Sequence, residues 1–149
     1  MNRDYIAGFF DGEGSLTKYK NGYRIFITQT NKEVLEEIQN FVKVGNIYEV
    51  GKRKAHWKDC WVLSITNHKN VYCFLKKIGP KLIIKKELAD EAMKTVEISL
   101  KEMERKRIIF INRRKEAKKL RKKGLSYRRI GETLGIDWGH ARRLILGIK

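Results

Sequence analysis

The sequence predicts an α+β protein, an antiparallel sheet covered by helices on one face, followed by a small all-α segment. Three observations lead there. Residues 1–100 alternate helical and extended patterns in the order α, β-hairpin, α, β-hairpin, α, α, and consecutive hairpins build antiparallel sheets. One strand, residues 23–28, puts three apolar residues on one face and a more polar set on the other, so one side of its sheet is expected to be covered and the other bare. Residues 101–149 lose the strand pattern and become basic and helical.

Residues 1–10 read as a short helix with Tyr5, Ile6, Phe9 and Phe10 on its apolar side, broken by Gly12 and Gly14. Residues 15–20 form a strand, and Asn21-Gly22 reads as a two-residue hairpin turn because both residue types tolerate positive φ. In the returning strand Tyr23, Ile25 and Ile27 face one way, and Arg24, Phe26 and Thr28 the other. Asn31 is placed to cap a helix carrying Val34, Leu35, Ile38, Phe41 and Val42, which Gly45 ends. Residues 47–50 and 61–65 are two more strands around a basic loop, Gly51-Lys52-Arg53-Lys54. Asn67 opens another helix with Val71, Phe74, Leu75 and Ile78 inward, stopped at Gly79-Pro80, and a further helix starts near Lys81. Residues 113–123 are a basic helix closed by Gly124, with two short helical segments after it. The expected division is 1–100 and 101–149, joined through a helix.

The net charge of +17 over 149 residues selects the partner class. Such an excess of one sign repels itself unless an anion compensates, and nucleic acid phosphate is the commonest compensator. A basic surface that binds nothing carries the same number, so charge alone does not decide. Residues 101–149 hold half of the Lys and Arg but only 5 of the 17 Asp and Glu, which makes them the electrostatic anchor. The 2 cysteines, Cys60 and Cys73, lack CxxC spacing, and the 3 histidines are scattered, against a disulfide framework or a zinc site. No apolar run is long enough to span a membrane, and the N-terminus lacks a signal-peptide core. An intracellular protein is expected, cytoplasmic or organellar and not secreted.

Residues 6–14, Ile-Ala-Gly-Phe-Phe-Asp-Gly-Glu-Gly, carry the chemistry. Ala7 and Gly8 are small residues in an otherwise bulky helix, which suits close approach of another backbone. Asp11 and Glu13 then stand at the helix C-terminus, where the dipole disfavours carboxylates. A divalent cation would offset that cost. A capped end with solvated acids is the plainer alternative.

This stretch resembles the LAGLIDADG motif of the homing endonucleases. The hairpins, the Thr28-Gln29-Thr30 segment before a helix, and Gly79-Pro80-Lys81-Leu82 with Lys85 and Lys86 follow the same layout over the first two thirds of the chain. The resemblance implies a site-specific endonuclease that cuts both strands of a long double-stranded DNA site, encoded within an intron or intein-like element. It implies a homodimer, because the chain has one motif and the family packs two motif helices together; Ala7, Gly8 and Phe9 would form that interface. It implies Mg²⁺, held by Glu13 with the Gly12 carbonyl as second ligand. Glu13 departs from the Asp common at this position, and its extra methylene would shift the ion slightly. Asp11 would be structural, closing the helix end. Gln29 resembles a residue that positions the attacking water, although it also reads as a mere strand end. Lys85 resembles a lysine acting on that water or on phosphate charge, although it also reads as a solvated helix charge.

Antiparallel ribbons fit the major groove. Ser15, Thr17, Tyr19, Arg24, Phe26 and Thr28 are the expected DNA contacts on the first hairpin, and Tyr48, Lys52, Arg53, Lys54 and Lys58 those on the second. Phe26 either meets a thymine methyl or lies under a loop. Residues 125–136 resemble the first helix and turn of a helix-turn-helix, with Ile130, Leu134, Ile136, Ala141 and Leu144 as its core, Gly131 at the helix crossing and Gly135 in the turn. Asp137, Trp138, His140, Arg142 and Arg143 would then face DNA, lengthening the contacted site or serving repression. Two rivals share the fold, a transcription regulator without catalysis and an RNA-binding intron maturase. Regulators of that kind lose the catalytic acids, whereas Glu13 and Lys85 remain here.

Overall fold

A computed structural model describes residues 1–20, 22–51, 56 and 58–148. They form two compact units, 1–101 and 102–149, each taken by itself. The first unit begins with α1 (Arg3–Glu13), capped by the Asn2 side chain, which accepts from the Tyr5 N–H at 2.9 Å. Strands β1 (Gly14–Tyr19) and β2 (Gly22–Gln29) follow, then α2 (Lys32–Val42), β3 (Asn46–Val50), β4 (Cys60–Ile65) and α3 (His68–Ile78). A 3-10 turn, Gly79–Lys81, precedes the long helix α4 (Lys86–Lys122). The four strands are antiparallel in the order β1-β2-β4-β3.

Period-two alternation decides which face is covered. Leu16, Ile25, Ile27, Leu63 and Ile65 are buried on one side, against Ile6 and Phe10 of α1, Leu35 and Ile38 of α2, and Phe74 and Leu75 of α3. Ala89, Ala92 and Val96 of α4 complete this core, and Phe10 meets Phe74 edge to face at 5.2 Å. The opposite face of the sheet holds the other parity. Ser15 pairs with Phe26, Phe26 with Ser64 and Ser64 with Asn46, a row with no buried residue.

Several boundaries differ from the sequence expectation. Helix α1 runs through Gly12 to Glu13, because the last helical turn makes its bonds backward and tolerates glycine. The first hairpin closes on a Tyr19–Gly22 pair, so Gly22 belongs to the strand and not to the turn. Lys20 takes the positive φ, 50°, and Asn21 lies outside the described residues. Gly22 belongs to the strand, where a Cβ would stand 2.2 Å from His68 Nε2, so packing and not the turn requires it. Helix α2 ends on left-handed Lys43, before Gly45. Helix α4 starts at Lys86 and not near Lys81, and it continues past residue 101 to Lys122.

In the second unit Ala117 of α4 packs with Ile130 of α5 (Tyr127–Leu134) and with Ala141 and Leu144 of α6 (Trp138–Leu146). Ser126 caps α5 by accepting from the Arg129 N–H at 3.3 Å. Gly131 sits where α5 crosses the start of α6, and a Cβ there would lie 2.6 Å from the Ile136 carbonyl oxygen. That neighbour is backbone and cannot rotate away. Gly131→Ala should therefore destabilise the protein by about 1–3 kcal/mol, read as a lower urea midpoint. An unchanged midpoint would mean the crossing is looser than described.

Candidate functional site

The end of α1 is built by four residues with three fates. Phe10 points into the core, Asp11 is buried at 8% exposure, and Gly12 and Glu13 face solvent. The Asp11 carboxylate does not close its own helix. Its Oδ2 accepts the N–H groups of Ile83 (2.7 Å) and Ile84 (3.2 Å), and Oδ1 accepts that of Lys85 (3.0 Å). The Lys85 ammonium donates back to the Asp11 carbonyl and lies 5.8 Å from the centre of the Phe10 ring. Burial pushes the Asp11 carboxyl up, but the three backbone donors and the Lys85 charge outweigh it, and the net shift is downward. Asp11 is structural, as expected, but its bonds serve a distant segment and not its own helix end. Its partners lie more than 70 residues away, and no local pattern marks them.

The Lys85 ammonium thereby comes to the α1 terminus, at the carbonyl of the residue two positions before Glu13. Gln29 is brought to the same end of the sheet, because Gly14 pairs with Ile27 and Gln29 lies two residues further along that strand. Its side-chain oxygen accepts from the Thr30 N–H at 3.0 Å, which leaves the amide nitrogen as donor. Around Glu13 the donors for a cation are hard oxygens, one exposed carboxylate and the carbonyls of the last helical turn. No group of three or more His, Cys, Asp or Glu that could hold a metal occurs among the described residues. Such a set fits Mg²⁺, which keeps several waters and takes one or two protein oxygens beside substrate phosphates.

The outer side of α1 carries Tyr5, Gly8 and Gly12 exposed, with Phe9 half-buried and stacked on Tyr5 at 5.9 Å. A Cβ added at Gly8 or Gly12 would meet nothing within 4 Å. Ala7 corrects the expected interface: it is 1% exposed and faces the chain's own core, so only Gly8 and Phe9 of that trio lie on the open side. On the bare sheet face Ser15, Thr17, Tyr19, Thr28 and Tyr48 are exposed, while Arg24 and Phe26 are half-buried. The Arg24 guanidinium lies 3.3 Å from the Tyr19 ring centre. Lys58 is exposed; Lys52, Arg53 and Lys54 lie outside the described residues.

In the second unit Trp138 is 62% exposed, and Arg142 and Arg143 are exposed on α6, whereas His140 is half-buried. Asp137, exposed at the start of α6, has a local task as well. Its carboxylate caps α6 by accepting from the His140 N–H at 2.8 Å, and that bond holds its carboxyl below the usual range.

A bare antiparallel sheet beside an exposed carboxylate and a clamped lysine defines the class, a fold of the LAGLIDADG endonuclease type. The family described as LAGLIDADG-like domain matches residues 1–79, and the chain belongs to that family. No curated protein matches the chain. Among solved structures it is similar to the archaeal intron-encoded homing endonuclease I-Vdi141I complexed with DNA. Identity there is 21% over 97% of this chain and 94% of that one, with a TM-score of 0.50. It is also similar to the LAGLIDADG meganuclease I-CpaMI bound to uncleaved DNA, 22% identical over 66% of this chain, with a TM-score of 0.52. The chain spans only 38% of the length of I-CpaMI. At these identities the likeness shows the fold.

The Asp11 carboxyl titrates lower folded than unfolded, so its contribution to stability is fully present above the unfolded value of about 4. It is lost as pH falls through the lower folded value. Urea midpoints measured between about pH 5 and 2, with a chelator present, should fall more for the wild type than for Asp11→Asn. Parallel curves would show that the carboxylate is not gripping residues 83–85.

Proposed function

We propose that the chain is a site-specific DNA endonuclease that works inside the cell as a homodimer, uses Mg²⁺, and cuts both strands of a long site, carried by an intron or intein-like element. The observation that carries this reading is the bond of the Lys85 ammonium to the Asp11 carbonyl, in the same last turn of α1 as the exposed Glu13, on a helix with an open, small-residue face. Among the described residues, nothing demands that Gly8 and Gly12 be small. A second copy of α1 packed along that face supplies the demand, and it would bring two Glu13 carboxylates to one twofold axis.

Each chain then serves one strand. Glu13 and the Gly12 carbonyl would hold the ion, which when bound supplies positive charge against the phosphate oxygens during in-line displacement. The Lys85 ammonium offsets charge developing on the phosphate. The Gln29 amide orients the attacking water. Ser15, Thr17, Tyr19, Arg24, Phe26 and Thr28 on one hairpin, with Tyr48, Lys52, Arg53, Lys54 and Lys58 on the other, read the major groove. Phe26, half-buried in a polar row, suits a thymine methyl. Helices α5 and α6 act as a helix-turn-helix, with Trp138, His140, Arg142 and Arg143 toward DNA, and lengthen the contacted site.

Cleavage of a randomised DNA library with Mg²⁺ tests the reading directly. Glu13→Gln should bind the selected site within about threefold of wild type, under 1 kcal/mol, and fail to cut it. Both proteins should run on DNA at twice the 17.6 kDa chain mass. A cutting Glu13→Gln protein, or a cutting monomer, would remove the proposed centre. A wild type that binds DNA without cutting would favour a regulator, and one that prefers RNA a maturase. For the second unit, Arg142→Ala combined with Arg143→Ala should weaken binding and flatten the slope of log K against log salt by about two. An unchanged slope would place those arginines away from phosphate.

A further inference from the structure

We propose that Asp11 is the positioning residue of the cleavage centre, its carboxylate holding the backbone of residues 83–85 so that the Lys85 ammonium stands beside Glu13. The inference rests on the endonuclease reading above. An acid that merely closed a helix would bond to its own helix. Among the described residues, every hydrogen bond made by this carboxylate runs instead to residues 72–74 positions away.

The segment it grips has little else to hold it. Ile83 and Ile84 are 86% and 77% exposed, so their side chains add almost no burial. Leu82, 5% exposed, anchors one end, and α4 begins at Lys86 on the other. Between them three successive N–H groups converge on one carboxylate, an arrangement of charge-assisted bonds roughly twice as strong as neutral ones.

The grip also decides where Lys85 points. Lys85 immediately precedes α4, and its carbonyl already accepts from the Ala89 N–H at 2.9 Å. A cation at a helix N-terminus is disfavoured by the dipole. With its N–H fixed on Asp11 Oδ1, its side chain turns away from α4 to the carbonyl of Asp11 in the last turn of α1, where the dipole favours a cation. Both ends of Lys85 are therefore set by one residue, which leaves its ammonium at the terminus that carries Glu13.

The test is a double-mutant cycle in single-turnover cleavage of the DNA site selected with wild type. Asp11→Asn should slow cleavage by about 10- to 100-fold with DNA affinity little changed. In a Lys85→Met background the same substitution should change the rate by less than about twofold, because the lysine it positions is gone. Equal slowing in both backgrounds would overturn the proposal, since a general loss of structure acts whether or not Lys85 is present. So would a wild-type rate in Asp11→Asn. A wild type that binds DNA and never cuts defeats the endonuclease reading itself, and the control shows that before any variant is compared. Should Asp11→Asn fail to fold, amide exchange on wild type decides. Ile83, Ile84 and Lys85 should be protected despite the exposed isoleucines, and exchange at unstructured-chain rates would end the proposal.

Discussion

One buried carboxylate holds together parts of the first unit that sequence separates widely. Asp11 lies in the last turn of α1, and the three amides it accepts lie in the link before α4. Because it is nearly buried, leaving it without donors would cost the full desolvation of a charge. The link is therefore held in one conformation, although its own isoleucines face solvent. The position of Lys85, the start of α4 at Lys86 and the direction of the α1 terminus all follow from this contact.

The rest of the unit gives that contact a rigid base. Helices α1, α2 and α3 cover one side of the sheet and share a core with α4, so α1 cannot shift without disturbing Phe10 against Phe74. The other side is left to polar and half-buried residues, the arrangement expected of a sheet that meets a ligand. Buried Ala7 and exposed Gly8 sit side by side on α1 yet differ in surroundings: Ala7 faces this chain's core, and Gly8 faces open space.

The second unit uses the same chemistry at smaller scale. Its core is a handful of residues around Ile130 and Ala141, and its helices depend on caps at Ser126 and Asp137. Small cores leave little margin, so a side chain that caps the start of a helix matters more there. Asp137 is the case: an acid before a helix satisfies orphan N–H groups first.

Much of this protein was already written in local pattern. Alternation in residues 23–28 placed Ile25 and Ile27 inward and Arg24, Phe26 and Thr28 outward, because side-chain direction in a strand has a period of two whatever the fold. Helical spacing likewise identified the buried faces of α2 and α3, and residues 6–14 identified the family. Tertiary structure decided what depends on distant neighbours. Gly22 serves His68 and not the turn, Ala7 faces inward, α4 starts five residues late, and Asp11 grips a segment more than 70 residues away. Local propensity carries no information about which far part of the chain will arrive, and contacts of that kind exist only once the core has formed.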